Sequence, residues 1–234
     1  MRIIFEDAEL EEFAMEGDGE IAVPVQVSKD NDGTVITVYS RFEKEAGEFS
    51  RFFARDPFSS DAISFLRRRV EPAMNDAGYE YEWEYDHTVL KYEAVSEDGI
   101  RTMQISDAEV VFIETEDELS KYYFATTRDF TINDDDKNDV AFAAVRDGAA
   151  LSVASVNDLS EDGAIEVNVE TVPAERGKGY ASAVCASLCK YLLSRGERVV
   201  YQCRASNGAS RAVAEKCGLK YKGKTFSFVC YRNL

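Results

Sequence analysis

The part of this sequence that most constrains the fold is a strand, a glycine-rich turn and a helix in immediate succession. Apolar and polar residues alternate over Ile165–Glu170, which is the period of a half-buried strand. The turn Arg176–Gly179 reads RGKG, and small residues typical of a packed helix follow over Tyr180–Ser194. Arg195 suits the negative end of that helix, and Gly196 suits a left-handed cap. The pattern predicts a strand–turn–helix unit.

A unit of this kind can hold a phosphate group. The first backbone N–H groups of a helix have no partner within the helix, and the helix dipole places positive potential there. Gly177 and Gly179 allow the backbone to approach an anion closely, and Arg176 and Lys178 add positive charge. An ordinary solvated turn is the alternative, because an RGKG run alone is a weak motif. A nucleotide ranks lower, because the GK[ST] ending is absent.

The order and spacing of this segment resemble the GNAT acyltransferase superfamily, over residues 140–234. The pyrophosphate loop of that family reads Gln/Arg-x-x-Gly-x-Gly/Ala, which Arg176, Gly179 and Ala181 match. A second family feature is an Asn after the next strand and a short helix ending in a Lys-x-Gly-Phe-like turn. Asn207, Ser210 and the run KCGL at 216–219 resemble it. The acidic strand EVNVET is similar to that of a bacterial subgroup.

The resemblance implies transfer of an acyl group, usually acetyl, from acetyl-CoA to a primary amine by direct attack within a ternary complex. The residues that would bind the cofactor are then Thr171, Val172, Arg176, Gly177, Lys178, Gly179, Tyr180, Ala181, Asn207 and Ser210. Thr171 and Val172 would offer backbone groups to the pantetheine arm and the thioester, and the loop amides would hold the pyrophosphate. Asn207 could instead be only a helix cap, and Ser210 only a surface hydroxyl.

Acyl transfer to an ammonium group needs a base, because only the neutral amine attacks. Glu166 and Glu170 are the predicted catalytic residues, and they share one strand face with Asn168 because side chains two apart point the same way. The two carboxylates could equally bind a cationic substrate or lie exposed to solvent. Glu170 is preferred as the base because it is nearer the expected position of the thioester.

One position departs from the family pattern. Many members carry a Tyr in the second helix that protonates the leaving thiolate, and the alignment through Asn207 and Gly218 places Ala214 there. Water, Tyr201, Cys203 or Tyr231 could supply the proton instead. The departure leaves a second hypothesis open, namely a non-catalytic acyl-CoA sensor or interaction module.

The predicted fold class is α+β in three layers, a mixed and mostly antiparallel twisted sheet flanked by helices. An acidic α+β region at residues 1–108 is predicted to precede a GNAT-like domain at 109–234. Further predictions are a helix that ends near residue 77, a strand at 102–106, a helix to about residue 126, a loop at 131–139 and a turn at 221–223. The aromatic and acidic residues around Trp83 predict one or two strands.

Charge and cysteine content narrow the function classes. Residues 1–139 hold 14 Lys+Arg and 35 Asp+Glu, a net of −21, whereas residues 140–234 hold 13 and 9, a net of +4. The acidic part argues against nucleic-acid and membrane partners and favours a cationic amine substrate, small molecule or peptide. Five cysteines fit a reducing compartment, and no metal is predicted. A cytoplasmic monomer or homodimer is expected.

Overall fold

The structure, a computed structural model, describes residues 1–6, 13–14, 19–81, 88–124, 132–133, 139–159 and 163–233. The strands are β1 Arg2–Glu6, β2 Phe13–Ala14, β3 Gly19–Asp30, β4 Gly33–Tyr39, β5 Glu80–Tyr81, β6 Val89–Ala94, β7 Glu109–Ile113, β8 Tyr123–Phe124, β9 Ala141–Arg146, β10 Ala149–Leu159, β11 Ile165–Thr171, β12 Val199–Arg204 and β13 Lys220–Asn233. The α-helices are α1 Glu43–Phe53, α2 Ser60–Asp76, α3 Glu116–Leu119, α4 Tyr180–Ser194 and α5 Gly208–Cys217.

The chain forms two compact units that interleave along the sequence. Unit 1 comprises residues 1–90, 204–206 and 222–234, and unit 2 comprises residues 91–203 and 207–221. The sequence interpretation had placed one boundary between residues 108 and 109, and the division into those two domains stays a prediction.

Unit 1 is a sheet covered by two helices. Its strands run in the order β1-β4-β3-β13, with β2 on β3 and β5 on β13. Helix α2 begins after Ser59, whose hydroxyl accepts a hydrogen bond from the N–H of Ala62 at 3.3 Å, an N-cap. Leu66, Val70 and Met74 recur at helical spacing and are fully buried, so they anchor the helix on the sheet. Helix α2 continues past Pro72 to Asp76, close to the predicted end.

Unit 2 holds the strand–turn–helix unit. Its strands run in the order β6-β12-β11-β10-β9-β7, with β8 on β10. Helix α4 packs on β9, β10 and β11, and α5 packs against α4. The predicted helix over Tyr180–Ser194 is confirmed with those bounds, and strands β9 and β10 pair as an antiparallel hairpin. Antiparallel and parallel pairings coexist, and helices flank the strands, so the predicted fold class is confirmed.

Three local predictions are wrong. Residues 102–106 form no strand; instead the Thr102 hydroxyl accepts a hydrogen bond from Lys190 at 2.7 Å. Helix α3 ends at Leu119 instead of continuing to about residue 126, and the Ser120 hydroxyl closes it by donating to the carbonyl of Asp117. No turn interrupts β13, and Gly223 lies inside this strand. The glycine is needed there because the neighbouring strand passes close to its backbone: a Cβ at residue 223 would lie 2.5 Å from the carbonyl oxygen of Lys29.

Two predictions concern segments that are not fully described. The strands around Trp83 were predicted across residues 79–95, of which 82–87 lie outside the described residues. Most of the predicted loop at 131–139 lies outside them too. Among the helices that the structure describes, none combines the length and the apolar composition needed to cross a bilayer.

Candidate functional site

The turn between β11 and α4 sets the conformation in which helix α4 begins. A 3-10 turn at Pro173–Glu175 follows β11, and Gly179 then occupies the N-cap position of α4 with φ 95°. No described side chain caps that first turn of α4. The N–H groups at the start of a 15-residue helix are therefore directed outward with the positive end of its dipole.

Gly177 and Gly179 are required by the backbone conformation of this turn. Their φ angles are 81° and 95°, a region where side chains with a Cβ are strained. A Cβ at either position would meet no other atom within 4 Å. The open space above both glycines is the space into which an anion could approach the helix.

A network of hydrogen-bonded charged and phenolic side chains holds this turn in place. The buried Tyr180 donates its phenolic proton to Asp107 at 2.6 Å, and Arg146 donates to the same carboxylate at 3.0 Å. Arg146 also bridges to Glu175 at 3.0 Å, and Glu175 accepts from Lys178 at 2.8 Å. The network ties the turn to the end of β9 and to the segment before β7.

The same network shifts the pKa values of its members. The hydrogen bond from Tyr180 is the largest cause that lowers the pKa of Asp107 below its ordinary value. The hydrogen bond from Lys178, followed by the charge of Arg146, lowers the pKa of Glu175. The pKa of Tyr180 is raised, first by its hydrogen bond to Asp107. Both carboxylates are therefore held in the charged form at neutral pH.

A cavity opens where β11 and β12 separate. Within the described parts of these parallel strands, the ladder joins only Ile165 to Val199 and Glu166 to Val200. Beyond that point lies a cavity of about 380 Å³ between the two strands, the start of α4 and the start of α5. Its lining residues are Val169, Glu170, Thr171, Glu175, Arg176, Gly177, Gly179, Tyr180, Ala181, Ser182, Tyr201, Asn207, Ala209, Ser210, Ala212, Val213 and Lys216.

The structure brings nine of the twelve predicted site residues to this cavity. They are Glu170, Thr171, Arg176, Gly177, Gly179, Tyr180, Ala181, Asn207 and Ser210. The other three, Glu166, Val172 and Lys178, are not among its lining residues. Both backbone groups of Val172 already have partners: its N–H donates to Leu151, and its carbonyl accepts from Glu175. The binding roles of all twelve residues stay predictions.

The end of β11 is held by a buried hydroxyl on the neighbouring strand. Ser152 of β10 is fully buried and donates to the carbonyl oxygen of Glu170 at 2.8 Å. The hydroxyls of Ser152 and Thr171 lie 2.8 Å apart. Arg176 donates its Nε proton to the carbonyl of Thr171 at 3.3 Å, which closes the turn onto the strand. These contacts give the cavity a rigid wall on the β11 side.

The two predicted carboxylates have different surroundings, although they share one face of β11. Glu166 accepts a hydrogen bond from Gln202 of β12 at 2.8 Å. Glu170, four residues along, is half-buried and lines the cavity. The geometry therefore distinguishes two residues that periodicity alone treats as equivalent.

The opposite face of β12 turns towards α5. The Tyr201 hydroxyl lies 2.6 Å from that of Ser210, and the N–H of Ser210 donates to the Asn207 side chain at 3.0 Å. Asn207 is thus the N-cap of α5, the alternative that the sequence had left open, and it also lines the cavity. Ala214 lies one turn further along α5 and is fully buried.

Sequence reasoning missed Asp107, Arg146, Ser152 and Glu175. Only Glu175 carried a local signal, an acidic residue beside the RGKG turn; the fold brings Asp107 and Arg146 to the turn and Ser152 to the end of β11. The five cysteines are free and buried. Within the described ranges, no group of three or more His, Cys, Asp or Glu side chains could hold a metal ion.

Solved structures with a similar fold come from several organisms. A GNAT-family protein from Novosphingobium aromaticivorans matches at 17% identity and TM-score 0.49, covering 67% of this chain and 68% of its own. A GCN5-related N-acetyltransferase-like protein from Streptococcus suis matches at 15% and 0.47, covering 93% and 89%. A Drosophila protein matches at 10% and 0.50, covering 92% and 79%. Identities of this size bear on the fold alone.

Sequence comparison identifies the family. The comparison with curated proteins found no match. Residues 68–220, more than half of the chain, match the sequence profile described as "Acetyltransferase (GNAT) domain". The match assigns the chain to a class of domains found in acyltransferases. More narrowly, the chain belongs to the GNAT acetyltransferase family.

Proposed function

We propose that this protein is an acyl-CoA-dependent N-acyltransferase, with acetyl-CoA as the donor and a primary amine as the acceptor. The observation that carries the proposal is the cavity itself. It combines a helix N-terminus with uncapped N–H groups, a strand end with fixed backbone groups and a carboxylate, all within one site of about 380 Å³.

The cofactor would lie along the turn and between the separating strands. The N–H groups at the start of α4 would hold the pyrophosphate, with Arg176 supplying positive charge at the cavity wall. Lys178 is engaged with Glu175, so it contributes less than the sequence suggested. The pantetheine arm would then run past Thr171 towards Tyr201, and Asn207 and Ser210 would face it from α5.

Glu170 is the residue that would receive the proton of the attacking amine. It is half-buried in the cavity, where its carboxylate can hydrogen-bond an ammonium group and accept one proton. Glu166 and Asn168 continue the same face of β11 and would hold the rest of a cationic acceptor. A polyamine, an amino sugar or a Lys-bearing peptide has the required charge. We place this reaction in the cytoplasm.

The matched pair Glu170→Gln and Glu166→Gln tests this assignment. Acetyl-CoA binding is measured by calorimetry, and CoA release is measured against a panel of amines. Glu170→Gln is expected to bind acetyl-CoA normally and to lose activity about 100-fold or more, because the general base is gone. Glu166→Gln should keep most of its kcat and raise only KM for the amine, because Glu166 would bind the acceptor without taking part in proton transfer. Equal losses in both variants, or none in Glu170→Gln, would contradict the role given to Glu170.

A second candidate is a module that binds acyl-CoA without turnover. Ala214 favours it, because this position has no proton to offer the leaving thiolate. Tight binding of acetyl-CoA with no CoA release on any amine would select this candidate. Failure to bind acetyl-CoA would refute both candidates.

A further inference from the structure

We propose that Tyr201 is the proton donor to the leaving thiolate, which moves this role from helix α5 to strand β12. The inference rests on the proposed acyltransferase function. A donor elsewhere is needed because Ala214, at the position of the usual donor in α5, has only a buried methyl group and no proton to give.

The position of Tyr201 carries the argument. Tyr201 stands on β12 beyond the last ladder pair with β11, where the two strands have separated, and it lines the cavity. Its ring is 4% exposed, so the hydroxyl is held in one place between the sheet and the helices. Cys203, the other β12 residue considered from the sequence, is not among the lining residues.

The two faces of the sheet separate the base from the acid. Glu166 and Gln202 contact each other on one face, and Glu170 lies on that face because side chains alternate along β11. Tyr201 contacts Ser210 of α5 on the other face. An acceptor amine near Glu170 would then approach the thioester carbonyl from one face of the sheet, and the sulfur would leave beside Tyr201 on the other face, so the base and the acid act at separate positions.

The surroundings keep Tyr201 protonated until the thiolate forms. Burial raises the pKa of Tyr201 above its ordinary value, which keeps the phenol protonated but makes it a weaker acid, and the hydrogen bond with Ser210 acts in the opposite direction on that pKa. The Ser210 hydroxyl, 2.6 Å away, can donate to the phenolic oxygen as negative charge develops there. Asn207 fixes Ser210 by accepting its N–H, so the pair of hydroxyls forms a short preorganised relay.

The proton balance is complete with these groups. Glu170 removes one proton from the ammonium, the nitrogen attacks the thioester carbonyl, and a C–N bond forms. The tetrahedral intermediate loses its C–S bond, and the Tyr201 proton passes to the sulfur. The second nitrogen proton returns to the tyrosinate through solvent. Of the two protons that leave nitrogen, one ends on CoA and one in solution.

The test is Tyr201→Phe, which keeps the ring and removes the hydroxyl. We expect kcat to fall at least about tenfold while KM and Kd for acetyl-CoA stay within about twofold. Tyr191→Phe is the control, because that tyrosine lies on α4, is not among the cavity-lining residues and has a hydroxyl that accepts a hydrogen bond from Arg195. It should leave kcat unchanged. Ser210→Ala removes the second hydroxyl and should lower kcat to an intermediate value.

Three outcomes would overturn the inference. If Tyr201→Phe keeps kcat within about twofold of the wild-type value, Tyr201 is not the donor. If its loss of activity is matched by an equal loss of acetyl-CoA affinity, or if Tyr201→Phe fails to fold and Ser210→Ala keeps full kcat, the residue is structural. A wild-type protein that releases no CoA with any amine would instead defeat the proposed function itself.

Discussion

Replacing Gly179 by alanine tests whether the N-terminus of α4 is an anion site. The perturbation is small in volume, because a Cβ at residue 179 would meet no atom within 4 Å in the free protein. The residue nevertheless has φ 95°, so the alanine must adopt a left-handed conformation. Any effect on acetyl-CoA binding beyond folding stability would come from the methyl group at the approach to the helix.

The expected stability cost follows from the backbone alone. A left-handed conformation costs a residue with a Cβ about 1–2 kcal/mol. Alanine also reduces the entropy of the unfolded chain, which offsets about 0.4–1 kcal/mol. The net loss is therefore about 1 kcal/mol, or about 2–4 °C in Tm for a chain of this size.

Gly196→Ala is the matched control, because Gly196 follows the other end of the same helix. Its φ is 83°, and a Cβ there would also meet nothing within 4 Å. Both variants should lose the same stability in thermal unfolding. Only Gly179→Ala should weaken acetyl-CoA binding in calorimetry, by about tenfold or about 1.4 kcal/mol.

The comparison has clear refuting results. Equal weakening of acetyl-CoA binding in both variants would show that backbone strain, and not the local methyl group, disturbs the site. Normal binding by Gly179→Ala would show that no ligand approaches the start of α4, which removes the basis of the proposed cofactor position. Unchanged stability in both variants would refute the cost assigned to the left-handed backbone.

Two further predictions concern stability. The folded-state pKa of Asp107 lies below its ordinary value of 3.8. The stability that its ionised carboxylate contributes to the folded state is therefore fully present above pH 3.8 and is lost as the pH falls through the lower folded-state pKa. Thermal unfolding should therefore show wild type more stable than Asp107→Asn at neutral pH, with the gap closing in acid; parallel curves would contradict this. Gly223→Ala should destabilise unit 1 by about 1–3 kcal/mol in denaturant unfolding, because its Cβ would lie 2.5 Å from the Lys29 carbonyl oxygen. The control is Gly47→Ala in helix α1, where a Cβ would meet no atom within 4 Å, and it should stabilise the protein by about 0.5–1 kcal/mol. A Gly223→Ala variant as stable as wild type would show that the backbone of Lys29 does not exclude a Cβ at residue 223.

Much of unit 2 could be predicted from local patterns. The helix Tyr180–Ser194 has its predicted bounds because Gly179 and Gly196 mark its two ends with left-handed backbone. Glu166 and Glu170 were placed on one face by alternation alone. Such features depend on neighbours within a few residues, so the sequence carries them directly.

Other predictions failed because the same local residue pattern is compatible with two different structures. Gly223 suits a turn in sequence, yet it lies inside β13 because another strand approaches its backbone. The predicted strand at 102–106 has suitable residues, but a strand also needs an edge to pair with. Both outcomes depend on where distant parts of the chain are placed.

The sequence by itself determined the RGKG turn, its two glycines and the helix that follows it, since periodicity and capping act over a few residues. Only the tertiary structure decided which polar groups have partners far along the chain: Val172 with Leu151, and Glu166 with Gln202. It also decided that Tyr201 lines the cavity. The physical reason is that hydrogen bonds and burial are satisfied in space, between residues whose separation along the chain carries no information about their contact.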